Sequence, residues 1–208
     1  MGESVRSYGG KTARERAEDR RLRLVEATIA VLGEQGEART TMTAICAHAG
    51  LTERYFYESF AHRDEALLAA LDLVSEEIAA DARRVVERAP GPPAERVHAV
   101  MSSFVAWVGE QPERGKVAVV HSSATPGLRT RRHELIGAFA ELAASESEEL
   151  YGADAWPPDQ ARLHGIVYIA GLAELVAAWL TGEVDLTPDE LTRTAGDLFV
   201  SMSRRGQT

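Results

Sequence analysis

The chain has 208 residues, 45% hydrophobic and 26% charged, with a formal net charge of −9. It is long enough to bury a core unaided, its single cysteine (Cys46) excludes an internal disulfide framework, and its acidic total excludes a uniformly basic nucleic-acid binder. The charge is unevenly spread: residues 1–63 carry 10 basic and 9 acidic side chains, whereas residues 64–208 carry 13 and 23. The first third is therefore the part able to approach phosphates.

Residues 1–12 are polar and glycine-rich, which predicts a mobile arm. No apolar segment of signal-peptide length opens the chain, and no run of about 18 uninterrupted apolar residues follows, so the expectation is a cytoplasmic protein without a membrane span. A first helix is predicted over 13–35, with Leu24, Ala27 and Val31 at helical spacing and Gly36 ending it. Thr41 is placed to cap a short helix over 42–48. A turn at Ala49-Gly50-Leu51 leads to Thr52, which caps a second short helix over 53–60 with Phe56 and Phe60 on one face. A long helix over 63–88 presents Ala66, Leu67, Ala70, Leu71, Val74 and Ile78. Beyond Pro90-Gly-Pro-Pro93, helices are predicted over 94–109, 112–121, 126–151 and 158–180, and a capping box at Thr187-Pro-Asp-Glu190 opens a last helix ending near Ser203. The fold class is all-α, with eight to ten helices.

Two short helices joined at a glycine are the outline of a helix-turn-helix. Gly50 permits the sharp turn, and with Phe56 and Phe60 inward, Arg54, Tyr55, Tyr57 and Glu58 occupy the arc that can face DNA. Thr52, at the helix N-terminus, is placed to meet a phosphate. The stretch Thr40-Thr41-Met-Thr-Ala-Ile45-Cys-Ala-His-Ala49-Gly50-Leu51-Thr52, then Tyr55-Phe56-Tyr57-Glu-Ser-Phe60 and Arg63-Asp-Glu-Ala-Leu67, with Glu34-Gln35-Gly36 ahead of them, resembles the N-terminal domain of TetR-family regulators over about residues 20–70. The resemblance implies a three-helix DNA-binding head (13–63), a long fourth helix, and a ligand-binding and dimerisation body (64–208). It implies that Thr41, Tyr57 and Arg63 touch phosphates; with Thr52, Arg54 and Tyr55 these make the expected DNA-binding set. The sequence departs from the family where Arg63 replaces the commoner Lys, where His62 stands at a cap usually filled by Ser, Asn or Asp, and where Glu53 and Glu58 enter the recognition helix. Glu58 either repels phosphate or accepts from a cytosine amino group.

In the body, the resemblance implies an effector between the middle helices, with Met101, Phe104, Trp107, Phe139, Leu142, Tyr168 and Leu172 near an inner cavity. The segment 165–180 is apolar on most faces and needs cover nearly all round. Together with Leu191, Ala195, Leu198, Phe199 and Met202 of the last helix it is expected, on the family pattern, to form a four-helix bundle across a two-fold axis. The expected protein is a ligand-responsive repressor, a homodimer on a palindromic operator, released by a small molecule.

Other features read more plainly. Cys46 is a small buried hydrophobe. Arg129, Arg131 and Arg132 are a solvated helix start. Arg14, Arg16, Arg20, Arg21 and Arg23 are either solvated charge or contacts to phosphate or the minor groove. His121-Ser122-Ser123 and His133-Glu134 have neither metal-ligand spacing nor a nucleophile elbow, so no metal, cofactor or catalytic residue is expected. Two alternatives stay open: an interaction protein of this fold that has lost DNA binding, and a helical enzyme using His121, Ser122 or His133.

Overall fold

A computed structural model describes residues 12–205. Among them are nine α-helices: α1 (Ala13–Gln35), α2 (Met42–Ala49), α3 (Glu53–Ser59), α4 (Arg63–Arg88), α5 (Pro93–Glu110), α6 (Pro112–Val119), α7 (Pro126–Tyr151), α8 (Pro158–Thr181) and α9 (Pro188–Ser203). No described residue lies in a strand beyond one isolated bridge, Ala155 with Arg204. The arm expected over 1–12 falls outside the described residues except for Thr12, whose side chain caps α1 in a capping box with Glu15.

Local chemistry fixes the boundaries. Each helix from α5 to α9 has a proline in its first turn, where the fixed φ suits a helix and the missing N–H costs nothing. Thr41, Thr125 and Thr187 accept hydrogen bonds from the backbone N–H groups of Ala44, Leu128 and Glu190. Gly50 turns the chain between α2 and α3 at φ +62°, and its N–H reaches back to the carbonyls of α2, the left-handed helix stop that glycine permits. α3 ends one residue earlier than its sequence predicts, because Phe60 is already extended at φ −141°.

Two apolar clusters organise the molecule. The first joins Leu24, Ile29 and Leu32 of α1, Ile45 of α2 and Phe56 of α3 to Leu67, Leu71 and Val74 of α4, and continues into Val117 and Leu128. The first turns of α4 therefore complete the core of the head. The second, smaller cluster is built on Val97, Tyr168 and Phe199, with Met101, Leu172 and Met202 packed against it. α7 packs along α8 and α5 along α9, while α6 lies between α1 and α8.

α8 is long and apolar enough to cross a membrane by length and composition alone. It packs here against α6, α7 and α9, and Glu174, which interrupts its apolar run, pairs with Arg132 of α7 at 2.5 Å. The cover expected nearly all round is supplied only in part by this chain, which buries Ala161, Gly165, Tyr168 and Val176 of α8. Leu163 and Val167 of α8 and Leu198 of α9 remain exposed.

Candidate DNA-binding head and internal cavity

Phe56, fully buried, anchors the inner face of α3, and its ring meets those of Tyr57 at 5.9 Å and Phe60 at 5.5 Å. That leaves Thr52, Arg54 and Tyr57 facing outward. Tyr57 is 60% exposed, an unusual position for a large aromatic ring unless it meets a partner. Thr52 makes no cap hydrogen bond with its side chain, so its hydroxyl is available to a ligand. Thr41, also exposed, caps α2.

The other two residues of the expected set are engaged inside the molecule. Tyr55 is half-buried beneath the Arg20 guanidinium, 4.6 Å from its ring centroid. One residue back from Phe56 lies about 100° round the helix, and on that side α1 covers it. Arg63 donates to Glu37 at 2.5 Å and lies 3.5 Å from Asp64. A DNA phosphate must compete with Glu37 for this guanidinium. His62 fills its cap position with Nδ1, which accepts from the Glu65 N–H at 3.3 Å.

The acidic recognition helix is less repulsive than its sequence reads. Glu58 accepts from Arg54 at 3.0 Å and lies 3.6 Å from Arg20, so its charge is balanced by two cations. Arg20 thus acts as a brace for α3. Arg21 and Arg23, though exposed, also contact the helix-turn-helix, Arg21 over the Phe60 ring at 4.4 Å and Arg23 donating to the Ala49 carbonyl at 2.6 Å. These three arginines, read from sequence as solvated or DNA-bound, tie α1 to the helix-turn-helix.

Between the two apolar clusters lies a cavity of about 210 Å³. Met101, Phe104, Trp107, Phe139, Leu142, Tyr168 and Leu172 all line it. The wall also includes residues that the sequence reading does not place there, among them Ile78, Ala82 and Val86 of α4, Ser122, and Glu146 of α7. The α4 trio falls four residues apart and extends the stripe of the head core, a signal present in the periodicity. Tyr168 donates to the Ala195 carbonyl at 3.2 Å and packs edge-on against Phe199, and burial pushes its phenol pKa upward.

Leu71 belongs to the head cluster and to the cavity wall, and Trp107, Ala118 and Leu135 pack against the one while lining the other. The joint is reinforced by charge. Arg114 of α6 donates to Glu26 of α1 at 2.6 Å and to Glu77 of α4 at 3.1 Å. Burial raises the Glu77 carboxyl pKa, Arg114 opposes that, and Glu26 adds to it. Arg131 joins Asp72 of α4 at 2.6 Å, so Arg131 and Arg132 tie α7 to α4 and α8 where the sequence predicts solvated charge.

The residues considered for catalysis do not converge. Ser122 Oγ has no hydrogen-bond partner, so neither His121 nor His133 stands as its base. His133 is exposed, with Nδ1 2.7 Å from the Arg129 carbonyl. Among the described residues no group of three or more His, Cys, Asp or Glu is placed to hold a metal. His121 is half-buried beside Gly36, and burial, then Lys116, lowers its pKa from the ordinary 6.5. The folded protein therefore resists a proton that the unfolded chain accepts. This term leaves stability intact above the ordinary value and removes it as pH falls through that value toward the folded one. Melting across that interval is expected to show a smaller acid loss for His121→Gln than for wild type; equal losses refute this.

Residues 24–71 match the family of "Bacterial regulatory proteins, tetR family". No curated protein matches the sequence. Solved structures share the fold. The fatty acid degradation regulator FadR of Bacillus halodurans superimposes with a TM-score of 0.72 at 15% identity, covering 94% of this chain and all (100%) of its own. A tetR-family transcriptional regulator of Streptomyces coelicolor gives 0.70 at 20% identity over 89% of this chain and 80% of its own. FadR of Bacillus subtilis, in complex with stearoyl-CoA, gives 0.68 at 16% identity over 87% and 98%.

Proposed function

We propose that this chain, whose residues 24–71 match the tetR family of bacterial regulatory proteins, is a homodimeric repressor that holds a palindromic operator and releases it when a small apolar effector fills the cavity. The observation that carries this reading is the continuity of one apolar cluster from Phe56, behind the recognition helix, to Leu71 on the cavity wall. A ligand that repacks Leu71, Trp107 or Leu135 acts on the surface that α1 and α3 rest upon. Packed cores respond to such changes by switching between discrete arrangements. A hundredfold release needs about 2.7 kcal/mol of preference between the two states. The stearoyl-CoA bound by the Bacillus subtilis protein supports an effector that is long and largely apolar.

Leu163, Val167 and Leu198, exposed on α8 and α9, support a two-fold interface through these helices. Two recognition helices so joined reach half-sites about 34 Å apart. Tyr57, Thr52, Arg54 and Thr41 face the DNA in this reading, with Arg63 exchanging Glu37 for a phosphate.

Selection of bound duplexes from a random pool, at about 0.15 M salt, tests the proposal. Enrichment of a palindrome is the expected result; a pool no different from bulk DNA refutes operator binding. Arg63→Ala and Tyr57→Ala are expected to weaken binding evenly across all duplexes, and Arg63→Ala to lower the salt slope by about 1. An unchanged slope removes Arg63 from the phosphate contacts.

A further inference from the structure

The cavity wall carries five charged side chains: Asp81, Arg83, Arg96, Arg132 and Glu146. Two of them are answered within the protein. Asp81 accepts from Ser103 and Arg84, and Arg132 donates to Glu174. Arg83 and Arg96 make no hydrogen bond or ion pair with any described residue. A guanidinium is always charged and donates in a fork that matches carboxylate and phosphate oxygens. The remaining carboxylate on the wall, Glu146, is a weak counterion. Its Oε2 is closed to solvent and unbonded. Burial, and then Glu149, raise its carboxyl pKa against the pull of Arg96, which favours the neutral acid. Even when ionised it balances one of the two cations.

These unpaired charges gather at one end of the cavity. α4 and α5 pack together and are joined by residues 89–92. Arg83, in the last turns of α4, and Arg96, in the first turns of α5, flank that link. Leu71, which the cavity shares with the head core, stands 12 residues before Arg83, about 18 Å along α4. On α5, Trp107 packs against the head core 11 residues after Arg96, and on α7, Leu135 does so 11 residues before Glu146. Three helices thus run from an apolar floor beside the head to a charged rim away from it. Arg83 is exposed and Arg96 half-buried, so their stems can line the apolar wall while their guanidinium groups reach water.

We propose that the cavity selects an amphiphile with an anionic head, a carboxylate or a phosphate, held at the rim by Arg83 and Arg96 with its apolar chain pointing toward Leu71 and Trp107. This rests on the reading of the cavity as the effector site. The chain lies against Met101, Phe104 and Phe139, and the head supplies the acceptors that the two guanidinium groups lack. A neutral head of the same chain length gains the apolar contacts alone, and a cationic head meets like charge.

The test uses the full-length protein and displacement of the apolar fluorophore N-phenylnaphthylamine by dodecanoate, dodecyl phosphate, dodecanol and dodecylamine, each below its micellar concentration. The better of the two anions is expected to displace the dye at a concentration about tenfold below that of dodecanol, the lower end of what charge-assisted hydrogen bonds give, because Arg83 stands in solvent. Which anion is better identifies the head group. The ratio of anion to alcohol within one variant cancels any change in the cavity as a whole. Arg83→Gln and Arg96→Gln are each expected to reduce that ratio by about threefold and the double variant to bring it near 1, whereas Arg96→Lys keeps most of it. Arg83 is exposed, so its variant tests the proposal even if substitution of Arg96 disturbs folding. Dodecanol or dodecylamine matching both anions, or an anion preference that survives Arg83→Gln and the double variant, overturns the proposal and leaves the cavity reading standing. Failure of the wild type to bind any apolar probe overturns both.

Discussion

Phe56→Ala is expected to abolish operator binding while leaving the cavity able to take up an apolar dye. α3 has seven residues, too few to hold a helix in water unaided. Its hold on the protein is the side chain of Phe56, fully buried among Leu24, Ile45 and Leu67, with Phe60 beside it. Truncating a buried phenylalanine costs about 3–5 kcal/mol, a large share of the roughly 5–15 kcal/mol that holds a whole domain. The loss falls on the element that carries Thr52, Arg54 and Tyr57 to the surface. The second cluster, around Tyr168 and Phe199, keeps all its side chains. Fluorescence anisotropy on the selected operator, with dye uptake and circular dichroism measured in parallel, reads the two effects separately. Phe56→Leu keeps most of the volume and is expected to keep part of the affinity. Near-wild-type operator binding by Phe56→Ala contradicts this account of the head.

The features legible in the sequence are those whose cause is local. Thr41 and Thr187 cap the helices that their positions predict, because a cap needs only the next three residues. The inward pair Phe56 and Phe60 follows from a spacing of four. Met101 with Phe104, Phe139 with Leu142, and Tyr168 with Leu172 each repeat at three or four, so an inward face was readable; that they share one cavity came from the family resemblance. Ala82 and Val86 continue the stripe that ends in the sequence reading at Ile78. That reading assigns one helical stripe to one core, whereas α4 serves the head with its first half and the cavity with its second.

What stayed hidden depends on partners distant in sequence. Arg114 meets Glu26 across 88 residues and Arg131 meets Asp72 across 59, and no local pattern marks either pair. Glu146 sits in an ordinary acidic stretch, and its partial burial on the cavity wall arises only when the helices of the body assemble. Tyr55 and Tyr57 are equivalent in sequence, one on each side of Phe56. α1 covers the first and leaves the second bare, a difference set by a helix that ends some twenty residues earlier.

The joint between head and body carries the other large effect. Gly33 of α1 packs directly on the first turn of α6: a Cβ there falls 2.5 Å from the Glu113 carbonyl oxygen and 2.6 Å from its Cα. Those atoms are backbone and cannot swing aside as a side chain does. Helix propensity alone favours alanine over glycine by about 1 kcal/mol, so in a free-standing helix Gly33→Ala would stabilise. Overpacking of this kind costs about 1–3 kcal/mol, and the contact is short enough for the clash to dominate. Melting is then expected to fall by about 2–4 °C for each kcal/mol lost. The functional consequence is larger than the thermal one. The clash is relieved by moving α1 away from α6, which draws Glu26 from Arg114 and tilts the head on the body. In a dimer that tilt changes the separation of the two recognition helices, and half-site spacing is set by that separation. Affinity for the selected palindrome is expected to drop, and a series of operators differing by single base pairs in spacing is expected to show the optimum displaced. An unchanged optimum, with unchanged melting, means that the α1–α6 contact yields without moving the head, and that the coupling from cavity to DNA runs through α4 alone.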